Sequence, residues 1–265
     1  MRIPTWLSSR RMSSLGVVLA LLMLLFVLPD AALAQTAGGS GVFGNVPGID
    51  ISGDEDFELP VQILLLLTVL SLAPAIIILM TSFTRLVVVF SILRTALGTQ
   101  QSPPTQVIIG LSLFLTMFIM YPVLENINDN ALQPYLDDQI TQKEAFDRAV
   151  VPMKKFMIGQ TREKDLLLFM DLADQAVYAQ PEDVPLHVVV PAFVISELRI
   201  AFQIGFLIFL PFLVVDLLVA SVLMSMGMMM LPPIMISLPL KLLLFVLTDG
   251  WYLIVESIVQ GYAIT

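Results

Sequence analysis

PFLVVDLLVASVLMSMGMMMLPPIMISLPLKLLLFVL, residues 211–247, decides how the chain folds. Two apolar runs flank a short segment that holds Gly227, Pro232 and Pro233. Glycine and paired prolines punctuate a chain reversal, so the stretch reads as an antiparallel helical hairpin. Each run also carries one charge at odds with its surroundings, Asp216 in the first and Lys241 in the second. An ionisable group in a spanning helix costs at least ~2.5–3.5 kcal/mol and therefore needs a partner or a wet cavity. With the reversal at Gly227 and Met228, Asp216 lies 12 residues before Met228 and Lys241 lies 13 after it. At ~1.5 Å per residue both stand ~18 Å from the turn, where they can meet as a buried charge pair. A proton relay and pairing across subunits are the other readings open to these two groups.

The turn itself is unusual. MSMGMMM (224–230) places five methionines in seven residues, with no charge to anchor a loop among lipid headgroups. Methionine fills gaps in cores, and that is its ordinary use. Here leucine would pack as well with less side-chain freedom. What methionine adds is an unbranched chain that re-packs around different shapes.

Outward from the hairpin, apolar segments recur at 59–82, 105–124, 204–224 and 234–255. Each approaches the ~20 residues that cross a bilayer as a helix. Pro74, Pro122, Pro211 and Pro239 are expected to interrupt them, as neighbouring protein permits. The fold class is mainly α, with membrane-type helical hairpins broken by prolines and a small helical domain between them. That domain, 125–185, holds twelve acids against six bases, whereas the loop at 81–106 carries only Arg85 and Arg94. The asymmetry puts 81–106 on the cytoplasmic side and 125–185 outside. Within 125–185, Thr141 and Glu144 form a capping box that opens a helix running to Gly159, and a second helix starts at Thr161. The organisation is a first hairpin at 59–124, the extracytoplasmic domain at 125–185, and a second hairpin at 186–265.

The N-terminus reads as a signal peptide, 1–34. Arg2, Arg10 and Arg11 precede the apolar LGVVLALLMLLFVL (15–28), and Ala32, Leu33 and Ala34 supply the small-residue site. Cleavage is expected between Ala34 and Gln35. Residues 35–58 form a flexible acidic tail outside the cytoplasm, with Asp50, Asp54, Glu55, Asp56 and Glu58. GSGVFG (39–44) has the spacing of a dinucleotide-binding loop but neither the strand before it nor the helix after it.

Composition narrows function by exclusion. The chain is 57% hydrophobic and 13% charged, with mean hydropathy +0.90. That exceeds what a soluble core can hide. A net charge of −9 argues against nucleic acid. The absence of cysteine removes thiolate metal sites and cysteine nucleophiles, and one histidine, His187, cannot build an H-E-x-x-H site. His187 reads as a helix-end residue. No G-x-S-x-G occurs either, and neither a metal nor a cofactor is expected. Glu197 and Arg199 form a second polar island, too close in sequence to face each other on a helix, so each needs a partner on another helix or subunit. Phe156 and Phe169 read as packing residues, with a pore-facing role as the alternative.

PAFVISELRIAFQIGF (191–206) and PFLVVDLLVASVLMSMGMMMLPP (211–233) resemble the two signatures of the FliP family of flagellar type III export-gate proteins. The resemblance extends through LPLKLLLFVLTDGW (238–251), MTSFTRLVVVFSILRTALGTQQSPPTQ (80–106) and QTREKDLLLF (160–169), and covers roughly 57–262. It implies a bacterial inner-membrane protein of the flagellar basal body that is not an enzyme. Such proteins form a ring, of about five copies, with FliQ and FliR. The ring contacts other export-apparatus membrane proteins, passes unfolded flagellar subunits and sits largely on the periplasmic side of the membrane plane. It also implies that Met228, Met229 and Met230 form the pore gasket, with Met224, Met226 and Gly227 supporting it. Related subunits serve virulence secretion, and the signal peptide favours the flagellar branch. A small-solute transporter or channel is the remaining alternative on composition alone.

Overall fold

The computed structural model of the chain describes residues 58–99, 101–173, 183–228 and 231–263. Ala34 and Gln35, with the signal peptide and acidic tail up to residue 57, lie outside the described residues, as do Met229 and Met230. Every regular element among the described residues is a helix. Helix α1 spans Glu58–Leu79, α2 Phe83–Ala96 and α3 Thr105–Ile127. A π-helical turn at Asn128–Leu132 leads into the short α4, Gln133–Leu136. Then come α5 Gln142–Gln160, α6 Glu163–Leu172, α7 Leu186–Ser225, α8 Pro233–Leu247 and α9 Gly250–Ala263. Residues from Leu66 onward form one compact unit, and of the unit before it only the first turns of α1 are described.

Two apolar clusters hold the compact unit together. The larger joins Leu86, Val89, Phe90 and Leu93 of α2 to Ile108 of α3, Ala201 and Phe212 of α7, Phe245 of α8 and Ile258 of α9. The smaller gathers Met157 of α5, Met170 of α6 and Val188, Val189 and Phe193 of α7. Helix α3 buries Ile108, Ser112, Thr116 and Met120, four apart, so one face recurs once per turn and turns inward. Helix α7 crosses α2 at Gly205, where an added Cβ would stand 2.4 Å from Ile92 Cδ1. Only a residue without a side chain permits that approach.

Several expectations change. The prolines do not break the helices: α1 runs through Pro74, α3 through Pro122, α7 through Pro191 and Pro211, and α8 through Pro239. Proline's fixed φ is itself helical, and packed surroundings absorb the lost backbone bond. The interruptions fall elsewhere, at Met80–Ser82, at Gly98 and at Thr248–Asp249. The apolar segment 234–255 is consequently two helices, α8 and α9, bent by 62°. The segment 204–224 is only the second half of a 40-residue helix. Helix α3 with its continuation, and α7, are each long and apolar enough to cross a membrane. The pairs α1/α2 and α8/α9 qualify only if each bent pair is one span. Helices α5 and α6 dock on α7.

Candidate functional site

The functional candidates occupy two ends of α7. Its first half buries Val188, Val189, Ala192, Phe193, Ser196, Glu197, Ala201 and Gly205, a continuous inward face. Its second half buries only Phe212, Val219 and Leu223. Leu217 and Leu218 are 61 and 62% exposed there, and Leu243 and Leu247 of α8 are 56 and 75% exposed. The hairpin of α7 and α8 thus presents apolar surface on most of its circumference.

At the tip, α7 ends in a Schellman motif. The Met228 N–H donates to Leu223 O at 3.0 Å and the Gly227 N–H to Met224 O at 3.1 Å. Gly227 adopts φ +74°, the left-handed conformation that this double bond requires. Gly227 therefore fixes the turn. Pro232 is the N-cap of α8 and Pro233 its first residue, so the prolines start the next helix. Met224, Met226 and Met228 are 62, 63 and 43% exposed. At that exposure none of the three is a core residue among the described part of the chain.

Behind the tip the structure brings Asp216 and Lys241 together. Lys241 Nζ donates to Asp216 Oδ2 at 2.5 Å and to the Ala96 carbonyl at 3.2 Å. The Ser237 hydroxyl donates to Asp216 Oδ1 at 2.6 Å. Lys241 is 4% exposed while the Asp216 side chain keeps 34% of its surface. Ala96 closes α2, so its carbonyl belongs to the last turn, where acceptors lack intrahelical donors and the helix dipole is negative. Lys241 is thus more than half of a charge pair, because it also caps α2 and ties three helices at one point.

At the other end Glu197 finds its partner on another helix of the same chain. It is fully buried inside the chain, held by Arg85 through both carboxylate oxygens, with Nε to Oε2 at 3.0 Å. The Tyr262 hydroxyl donates to Oε2 at 2.6 Å. The Arg85 guanidinium lies 3.9 Å over the Tyr262 ring and also donates to Gln160 Oε1 at 3.2 Å. The cluster therefore locks α2, α5, α7 and α9 together. Buried charges demand this degree of satisfaction, since an unpaired one is costly. Arg85 is 3% exposed, so it is a buried partner within the helices and does not act as an exposed loop charge. Arg199 is exposed, on the flank of the same helix.

Immediately before Glu197, Ser196 anchors the α5–α6 corner. Its hydroxyl donates to Asp165 Oδ2 at 2.6 Å and accepts from the Arg162 N–H at 3.1 Å. Arg162 Nε donates to the same carboxylate at 2.9 Å. Burial pushes the Asp165 carboxyl up, but the hydrogen bonds from Arg162 and Ser196 and the Arg162 charge outweigh it and hold it below its ordinary value.

Phe156 packs edge-on to Phe193 at 5.9 Å and stacks on Tyr262 at 6.1 Å, joining the two apolar clusters. Phe169 packs on the smaller cluster. His187 is exposed in the first turn of α7. Reading the sequence missed Arg85 as a buried partner and missed Tyr262 and Gln160 entirely. Arg85 had one available signal, a lone cation inside the apolar SFTRLVVVF (82–90).

Residues 66–258 match the family model described as the FliP family. The chain is 59% identical over 211 residues to the flagellar biosynthetic protein FliP of Bacillus subtilis, covering 80% of this chain and 96% of that protein. It is 52% identical over 225 residues to the FliP of Pectobacterium carotovorum, covering 83% of this chain and 87% of the relative. It is 51% identical over 236 residues to the FliP of Caulobacter vibrioides, covering 89% and 86%.

Proposed function

The chain belongs to the FliP family, and on that premise we propose that it is a subunit of the conduit of the flagellar type III export gate. As a member of this family it is a membrane-embedded component of the flagellar export apparatus with a structural role. In the proposed assembly about five copies close into a ring with FliQ and FliR and contact other export-apparatus membrane proteins. Unfolded flagellar subunits pass through its centre, and the assembled ring sits largely on the periplasmic side of the membrane plane.

One observation carries this reading. The α7–α8 hairpin is apolar around most of its surface yet rigidly held at its foot and middle by buried charges, and it ends in exposed thioethers. Surface of this kind needs an apolar neighbour, which lipid or a second copy supplies. A ring of such hairpins brings one methionine turn per copy to the axis. Unbranched thioethers there form a collar that keeps out water and ions and yields to a polypeptide of any sequence. In this collar Met228, Met229 and Met230 form the seal, and Met224 and Met226 support it.

The test is a strain lacking this protein, assayed for motility and for secreted hook and flagellin subunits. Loss of both, restored by the wild-type chain, is expected, and normal secretion without the protein overturns the assignment. For the seal, Met228→Ala, Met229→Ala and Met230→Ala together leave the ring assembled but conductive to small ions. A triple variant as tight as wild type returns these residues to ordinary packing.

A further inference from the structure

The described methionines fall into two populations. Met224, Met226, Met228 and Met235 are 62, 63, 43 and 73% exposed. All four lie at the turn between α7 and α8 or in the first turn of α8. Elsewhere, Met120, Met157 and Met170 are 2, 0 and 6% exposed, and Met80, Met117 and Met153 are partly buried. No methionine described outside the turn is exposed. The chain also has no cysteine, so it holds no thiol to intercept a peroxide first.

We propose that this turn is a site of reversible methionine oxidation by hydroperoxides. The thioether sulfur attacks one peroxide oxygen, an S–O bond forms and the O–O bond breaks. Sulfur is oxidised by two electrons, and hydrogen peroxide is reduced to water. The product, methionine sulfoxide, is polar and chiral, and the sulfoxide reductases return it to the thioether. Leucine would fill the same volume without this chemistry. The modification needs only the exposed sulfurs. Its consequence, a wetted and conductive turn, rests on the gate reading given above.

The experiment exposes the full-length chain in detergent to hydrogen peroxide and maps sulfoxide by peptide mass spectrometry over time. Met224, Met226, Met228 and Met235 are expected to oxidise more than about tenfold faster than Met120, Met157 and Met170, because a buried thioether reacts only in locally opened states. Treatment with methionine sulfoxide reductases and a thiol reductant then restores the turn. Equal rates at the turn and in the core overturn the proposal, and so does a turn that the reductases cannot restore. Ion leak through the assembled complex, followed during the same treatment, separates the two readings. Selective, reversible oxidation without any leak upholds the oxidation site and removes the seal.

Discussion

Arg85→Met tests how much of the fold depends on one buried charge pair. The substitution keeps an unbranched side chain in the apolar surroundings of α2 but removes the donors to both oxygens of Glu197 and to Gln160. Glu197 is left with 0% exposure and the Tyr262 hydroxyl as its one donor described here. Breaking a buried pair in this way costs ~3–5 kcal/mol. The lost contact with the Tyr262 ring adds up to ~2 kcal/mol in a desolvated site. Against a total stability of ~5–15 kcal/mol, this is a large fraction. At ~2–4 °C per kcal/mol for a chain of this size, the pair alone shifts the melting temperature down by about 6–20 °C. Thermal unfolding of the purified chain in detergent reads the shift. The control is the double variant Arg85→Met with Glu197→Leu, which removes both charges and recovers most of the loss, since apolar replacement of a whole buried pair is often neutral. A single variant melting within ~2 °C of wild type refutes the reasoning. A double variant no better than the single also refutes it, because the damage would then not come from a stranded charge.

Four further outcomes follow from the other sites. Lys241→Met costs less than Arg85→Met, because Asp216 keeps a third of its surface and the Ser237 donor, and paired melting curves rank the two. Exchanging the charges, Asp216→Lys with Lys241→Asp, fails to rescue assembly, since it sets a carboxylate against the Ala96 carbonyl at the negative end of α2; recovery of secretion in the exchanged variant would remove the capping role. Gly227→Ala costs ~1–2 kcal/mol by forcing a Cβ into φ +74°, visible as faster amide exchange at Met228, while Gly227→Asn is milder. Asp165 has a folded pKa below its unfolded value, so its contribution is present above the unfolded value near ~3.9 and is lost as pH falls through the folded one. Asp165→Asn therefore flattens the acid limb of a stability–pH profile, and an unchanged limb counts against the corner.

What reading the sequence could find depended on distance along the chain. Asp216 and Lys241 share one hairpin, so counting from the turn placed them at one depth without any tertiary information. The capping box at Thr141 is likewise local, and the Thr141 hydroxyl accepts from the Glu144 N–H at 3.3 Å. Glu197 was visible as an anomaly, but Arg85 lies 112 residues away and Tyr262 65 away. No periodicity within a helix sets the register between helices so far apart, so the partners could not be named. The prolines misled because an isolated proline signals interruption, whereas packing against other helices decides whether it interrupts. Apolar composition likewise identified buried or lipid-facing helices without saying which neighbour covers them.

The unbroken length of α7 has a mechanical consequence. Glu197 is clamped near one end, and the methionine turn rides at the other, ~44 Å away at ~1.5 Å per residue. The helix is therefore gripped twice, at Glu197 and again at Asp216, and its last turns project beyond the second grip with the methionines. A ~5° tilt about Glu197 alone would carry the tip through ~4 Å, and the tie from Asp216 through Lys241 to the Ala96 carbonyl opposes it. In the proposed ring, the place of the methionine turn is thus set by two grips that lie away from the turn itself, at Glu197 and at Asp216.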